Sequence, residues 1–228
     1  MSRAIGILGG MGPAATVDLL ARIVAATPAS GDAGHLRLLI DCNPAVPDRN
    51  RAIAGDGPSP GPALAEMAQG LEMQGADMLA IACNSAHAWA DDIRAATRIP
   101  LVSMIEATLA AIRAGHSGVA RVGLLAADAC LGAGLYQRPL ADAGYEVLTT
   151  TDQGAFMGLV YGVKAGEMGP AARGGMTAIA RGLVDRGAEL IVAACTEVPL
   201  LLGPEDSGVP LIDSTEALVR QLIVSATR

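Results

Sequence analysis

The chain has 228 residues, 51% of them apolar but only 2% aromatic, and carries a formal charge of −7 at neutral pH. That length suits one domain or two small ones with a sizeable core built on Ala, Val, Leu, Ile and Met, while the acidic balance argues against nucleic acid or an anionic membrane as partner. Apolar stretches are broken by Gly, Pro or charge well before the ~18 residues a membrane span requires, and no export leader opens at Met1, so a cytoplasmic protein with reduced thiols is expected.

Strands alternate with helical stretches throughout, the pattern of a parallel sheet with helices on both faces. The first strand, Ala4 to Leu8, runs into Gly9-Gly10-Met11-Gly12-Pro13, and a helix begins at Pro13 or just after it. Gly10, Gly12 and Ala15 fit the dinucleotide pattern G-x-G-x-x-A. The acid that closes the next strand, Asp41, comes 29 positions after Gly12, however, where the ribose-binding acid is expected ~20 residues on. No nucleotide P-loop sequence occurs here. The segment reads as a tight turn that needs glycine, and equally as one whose Met11 and Gly12 amides border a ligand.

The second strand, Leu36 to Asp41, leads into Cys42-Asn43-Pro44-Ala45-Val46-Pro47-Asp48-Arg49. Proline stiffening can hold the Arg49 guanidinium in a fixed pose, suited to clasping a carboxylate, although a solvated surface arginine is the commoner case. Cys42 reads as packing. The third strand, Met78 to Ala82, is a short apolar run of the buried parallel type and delivers Cys83-Asn84-Ser85-Ala86-His87. A thiol at a helix N-terminus is expected below its free pKa of ~8.5, and Asn84 and Ser85 would present donors to an anion at the same place. His87 reads as a hydrogen-bonded or pKa-tuning histidine; His35 and His116 supply no metal-ligand spacing with it.

In the second half, Cys130 follows Asp128 and reads as structural. Lys164 precedes Gly166 near a helix end, an ordinary place for a cation. Strand Leu190 to Ala194 then delivers Cys195-Thr196-Glu197, keeping a hydroxyl beside the thiol and adding a carboxylate that could orient a substrate amine or influence the thiol.

These elements repeat. Ile5-Gly6-Ile7-Leu8 is echoed 117 positions on by Val122-Gly123-Leu124-Leu125, the Cys83 frame 112 positions on by the Cys195 frame, and Ile99-Pro100-Leu101-Val102 110 positions on by Val209-Pro210-Leu211-Ile212. Four landmarks in one order, counting the Glu106-Ala107 and Glu216-Ala217 pairs, argue for two related halves with one thiol each. Open parallel sheets bind ligands outside the carboxyl ends of their strands, which is where both thiols fall.

Taken together, Gly9 to Pro13, Asn43-Pro44 with Pro47-Asp48-Arg49, Cys83 to His87, Lys164, and Cys195-Thr196-Glu197 resemble the cofactor-independent aspartate/glutamate racemase family over the whole chain. The likeness is to the aspartate racemase branch, since glutamate racemases typically begin with Asp-Ser-Gly and carry Cys-Thr-His at the second thiol. The resemblance implies α/β architecture of two pseudo-symmetric doubly wound lobes, residues 1–98 with 209–228 and residues 99–208, with the site in the cleft between them. It implies Cys83 and Cys195 as paired acid/base thiols without cofactor or metal, and Arg49 and Lys164 on the side-chain carboxylate. Asn84, Ser85 and Thr196 would hold the α-carboxylate, with Met11, Gly12 and Glu197 also bordering an acidic amino-acid substrate. A homodimer is implied as well. Rival readings are a maleate-type cis-trans isomerase or a racemase of another substrate, a non-catalytic binder of small dicarboxylates, an arylmalonate-type decarboxylase, which would need one thiol only, and a dinucleotide oxidoreductase.

Overall fold

The computed structural model describes residues 2–116 and 118–227. Strands apolar on both faces occupy the middle of a sheet, and strands with partly polar faces its edges. Ile5–Gly9 (β1) and Met78–Ile81 (β3) are buried throughout, and they sit between the half-buried edges Leu38–Cys42 (β2) and Leu101–Val102 (β4) in the order β2-β1-β3-β4. In the second half Arg121–Ala126 (β5) and Leu190–Ala194 (β7) lie between Glu146–Thr149 (β6) and Leu211–Asp213 (β8), in the order β6-β5-β7-β8. Every pairing is parallel, with Ile5 opposite both Leu38 and Met78, and Val122 opposite both Val147 and Leu190. The architecture is thus α/β with two parallel-sheet lobes.

The repeat extends to packing. A Cβ on Gly6 would come within 2.9 Å of Leu79, 3.0 Å of Ala76 and 3.1 Å of Leu71. One on Gly123 would come within 2.6 Å of Ile191, 3.0 Å of Ala188 and 3.2 Å of Leu183, the matching residues 112 positions on. Both halves therefore press a helix onto the central strand at a glycine, which suits a core nearly devoid of aromatic rings.

Helices cover the sheets: Pro13–Ala26 (α1), Arg49–Ala54 (α2), Gly61–Met73 (α3), Ala90–Ala96 (α4), Met104–Gly115 (α5), Asp128–Gly132 (α6), Gln137–Asp142 (α7), Gln153–Lys164 (α8), Pro170–Asp185 (α9) and Ser214–Thr227 (α10). None of the described helices is long and apolar enough to cross a membrane.

The sheets correct the expected lobe boundaries. β4, expected to open the second lobe, pairs with β3, and β8, expected to return to the first, pairs with β7. Only the helices cross over. Ile105, Leu109 and Ile112 of α5 pack with Val122 and Leu124 on the second sheet, while Leu218, Val219 and Leu222 of α10 pack with Ile5 and Ile7 on the first. A strand must find its ladder partner at once, as where Leu79 N–H reaches the Pro100 carbonyl at 2.8 Å. A helix satisfies its own backbone, and its apolar stripe can be buried on either sheet. The halves are joined by this exchange of their last helices, while β4 and β8 stay in the sheets of their own halves.

Candidate active site

Parallel strands bring the loops after β1, β2, β3, β5 and β7 to one edge of each sheet. Gly10 turns with φ +89°, and a Cβ there would lie 2.4 Å from the Asn43 carbonyl carbon, so the loops after β1 and β2 are in backbone contact. The Gly10 N–H donates to Thr16 Oγ1 at 2.9 Å, and that hydroxyl donates to the Gly12 carbonyl at 3.1 Å, which fixes Met11 and Gly12 at the cleft.

Arg49, buried at the start of α2, is anchored by backbone rather than by solvent. Its Nη1 donates to the Val46 and Pro47 carbonyls at 3.2 and 2.9 Å, and its Nη2 to the Met11 carbonyl at 3.1 Å. Three of the five guanidinium N–H donors are thereby engaged. Its neighbour Asn50 links the lobes, accepting from the Ala129 N–H at 2.9 Å and donating to the Tyr161 hydroxyl at 2.9 Å.

Behind Cys83 the chain makes a 3-10 turn, Ser85–Trp89, before α4. His87 lies under it. Nδ1 is 3.0 Å from the Cys83 carbonyl and 3.2 Å from the Asn84 carbonyl, and Nε2 accepts from the Met104 N–H at 3.1 Å, a network that assigns the proton to Nδ1. The imidazole therefore holds the thiol's loop. Burial lowers its pKa from 6.5 to about 4. Above pH 6.5 it is neutral folded or unfolded and its contribution is complete. As the pH falls toward 4, the unfolded chain takes up a proton that the folded one refuses. Stability should accordingly drop by about 3 kcal/mol across that window. Urea unfolding at pH 7 and pH 4.5 measures this, and His87→Asn, less stable at pH 7, should show a fall smaller by that amount.

Asn84 is less free than its sequence position suggested. Its Oδ1 accepts from the Tyr136 hydroxyl at 2.6 Å, and its Nδ2 donates to Ser214 Oγ at 3.0 Å, which in turn donates to the Ala193 carbonyl at 2.7 Å. One side-chain N–H of Asn84 remains for a ligand, beside the backbone amides. Tyr136 and Ser214 were missed by sequence reasoning. A faint signal existed for Tyr136, a bulky hydroxyl-bearing ring in a chain that has almost none.

The Cys195 thiol donates to Glu197 Oε2 at 3.0 Å, and Thr196 Oγ1 donates to the same oxygen at 3.2 Å. Glu197 Oε1 has no hydrogen-bond partner and stands 4.0 Å from Lys164 Nζ, whose ammonium also lies 5.5 Å from the Tyr161 ring centroid. Burial, then the Glu197 charge, push the Cys195 thiol well above its ordinary pKa. The lowering expected of a helix start does not occur at this thiol. The segment that follows is a three-residue 3-10 turn, Val198–Leu200, with little dipole, and the nearest charge is negative.

Met11, Arg49, Asn84, Ser85, Lys164, Thr196 and Glu197 line one cavity with both thiols, together with Asn50, Ala127 and Val160, which sequence reasoning did not single out. Its volume is about 20 Å³, room for about one water. Gly12 stands at the adjoining mouth of about 460 Å³, shared by Met11, Arg49 and Lys164, and a Cβ on it would lie 3.3 Å from Glu197 Oε1. Cys42 is exposed and Cys130 is buried; neither lines the cavity. Among the described residues no group of three or more His, Cys, Asp or Glu is arranged to hold a metal ion. Two thiols from matched strand ends, flanked by cations and amide donors, are suited to moving protons on a small anion.

The model of the Asp/Glu/hydantoin racemase family matches residues 8–222. The chain is 27% identical over 227 residues to the broad specificity amino-acid racemase RacX of Bacillus subtilis, covering 96% of each. An aspartate racemase structure from Picrophilus torridus superposes with a TM-score of 0.90 at 31% identity, over 99% of this chain and 94% of that one. A glutamate racemase from Francisella tularensis in complex with D-glutamate shares the fold, with a TM-score of 0.72 at 18% identity over 98% and 80% of the two chains. The chain belongs to the Asp/Glu/hydantoin racemase family, among the cofactor-independent amino-acid racemases.

Proposed function

We propose that the protein interconverts the L and D forms of an acidic amino acid, aspartate or glutamate, by two-base proton transfer between Cys83 and Cys195. The observation that carries this reading is the convergence of both thiols on one small cavity from matched strands of the two halves. Inverting a stereocentre requires a base on one face of Cα and an acid on the other. A thiolate on one side takes the Cα proton while the opposite thiol delivers its own. The electron pair left on Cα is held by donors on the α-carboxylate, and each tenfold in rate requires about 1.4 kcal/mol of such stabilisation. Ser85, the local backbone amides, that of Thr196 among them, and the one spare N–H of Asn84 supply those donors, the Thr196 hydroxyl proton being given to Glu197 Oε2. The side-chain carboxylate is met by Lys164 and by the N–H groups of Arg49 that no carbonyl takes. Glu197 Oε1, without a hydrogen-bond partner, is placed to accept from the substrate ammonium.

A cavity of about 20 Å³ is too small for an amino acid, so in this reading the site widens toward its mouth when substrate enters, a movement that the Asn50 bonds to Tyr161 and Ala129 across the lobes oppose. A cytoplasmic homodimer completes this reading through the family resemblance. A wider substrate range is the second reading, favoured by Arg49 committing three donors to carbonyls and so presenting only part of its fork to a distal carboxylate.

Proton NMR in deuterium oxide tests both readings, with each enantiomer of aspartate, glutamate and neutral amino acids supplied separately and no cofactor added. Loss of the Cα–H signal with inversion is expected for an acidic pair. Because the enantiomers are equal in energy, kcat/KM must come out the same in both directions. Exchange confined to neutral amino acids would overturn the acidic assignment, and no exchange with any of them would overturn the racemase reading.

A further inference from the structure

We propose that Glu197 decides which thiol holds the proton in the empty enzyme: Cys195 rests as the thiol, its S–H given to Glu197 Oε2, and the part of resting base falls to Cys83. This rests on the two-thiol reading above. A carboxylate oxygen can only accept, and Oε2 already accepts from both Cys195 Sγ at 3.0 Å and Thr196 Oγ1 at 3.2 Å. A thiolate at Cys195 would lose that bond and set two negative charges side by side in a site where both residues are buried. Burial and the Glu197 charge act on the thiol in the same direction.

The duplicated frame makes the asymmetry plain. Cys83-Asn84-Ser85 matches Cys195-Thr196-Glu197, so the position two after the thiol is an uncharged hydroxyl in the first half and a carboxylate in the second. The other charged groups facing Glu197 or lining its cavity are Lys164, on α8, and Arg49, on α2. Lys164 stands 4.0 Å from Oε1, the oxygen away from the thiol, and Arg49 is turned onto the backbone carbonyls of Met11, Val46 and Pro47. Neither displaces the contact between Sγ and Oε2.

In a turnover from the resting form, the Cys83 thiolate takes the Cα proton and becomes a thiol, and Cys195 gives its proton to the opposite face of Cα. The enzyme is left with a thiolate beside Glu197. It returns to rest either by running the reverse reaction or by losing the Cys83 proton to water while Cys195 regains one.

The test is alkylation of the substrate-free protein by iodoacetamide, with each cysteine followed by peptide mass spectrometry from pH 6 to pH 10. The two cysteines are equally exposed as residues, at 6%, so burial of the residue does not separate them. Cys83 should react at least about tenfold faster than Cys195 near neutral pH, and the Cys195 rate should still be climbing at the top of the range. Glu197→Gln places an amide donor where the carboxylate was and should raise the Cys195 rate about tenfold or more while leaving Cys83 within about twofold; Glu197→Asp keeps the charge and should leave Cys195 slow. Equal rates in the native protein, or a Cys195 rate that Glu197→Gln does not raise, would overturn the proposal, and the native protein alone decides the first even if the variants do not fold. No substrate is involved, so a protein that ordered its thiols this way but exchanged no Cα–H would sink the racemase reading and leave this one standing.

Discussion

Replacing either Cys83 or Cys195 with alanine should lower racemisation by at least about 10³-fold, within the range expected for removing a general acid or base. The two variants should nonetheless fail differently. In deuterium oxide, Cys83→Ala keeps only Cys195, which can remove the Cα proton of one enantiomer and return a deuteron to the same face. Cys195→Ala keeps only Cys83 and should act on the other enantiomer. Each variant should wash out the Cα–H of a single enantiomer without inverting it, and the enantiomers should be opposite. Cys195→Ala should show the faster washout, because the thiol left in it is the one not paired with Glu197. Each cysteine belongs to an apolar cluster, Cys83 to one that includes Leu8, Met11 and Ile81, and Cys195 to one that includes Val160 and Val198. Removing one sulfur should cost about 1 kcal/mol of stability, small enough for the folded variants to be assayed. Racemisation near the native rate in either variant would remove that thiol from the chemistry.

The reach of sequence reasoning follows from the range of the forces involved. Central strands announce themselves because a run such as Leu190 to Ala194 has no polar residue to turn toward water, and the repeat alone places both thiols at strand ends. Glycine at Gly6 and Gly123 was visible as part of that repeat, though its use as a close-packing point was not. The placement of α5 and α10 comes only from the family resemblance, which sets 99–208 in the second lobe and 209–228 in the first; the residues themselves do not carry it, because an amphipathic stripe has no address and Ile105 and Leu109 would be buried equally well on either sheet. Contacts far apart in sequence were likewise hidden. Asn84 meets Tyr136 52 residues away and Ser214 130 residues away, and nothing local to any of the three encodes the pairing. Glu197 was seen as an acid two places after a thiol. That its carboxylate turns back onto Sγ, reversing the pKa shift a helix start would give, depends on a 3-10 turn that composition does not distinguish from the first turn of an α-helix.

Arg49 separates a scaffold role from a simple charge role, and its replacement should have the second large effect. Arg49→Ala removes three donors at once from the carbonyls of Met11, Val46 and Pro47, of which Met11 and Val46 are buried residues. Leaving buried carbonyls without partners should cost about 2–4 kcal/mol, or about 5–15 °C in Tm for a chain of this size. The loop after β1 and the loop before α2 would lose their tie, and with it the placement of Met11 and Gly12 at the cavity mouth, so kcat/KM should fall by at least about 100-fold. Arg49→Lys is the informative companion. It restores the positive charge but carries a compact ammonium that cannot span three carbonyls as a planar fork does. If charge toward a distal carboxylate were the main contribution, the lysine variant would recover KM for aspartate or glutamate. With the guanidinium holding two loops in register, Arg49→Lys should resemble Arg49→Ala in both Tm and kcat/KM. Recovery by lysine to within about threefold of the native kcat/KM would show that the carbonyl bonds hold the side chain in place without holding the loops.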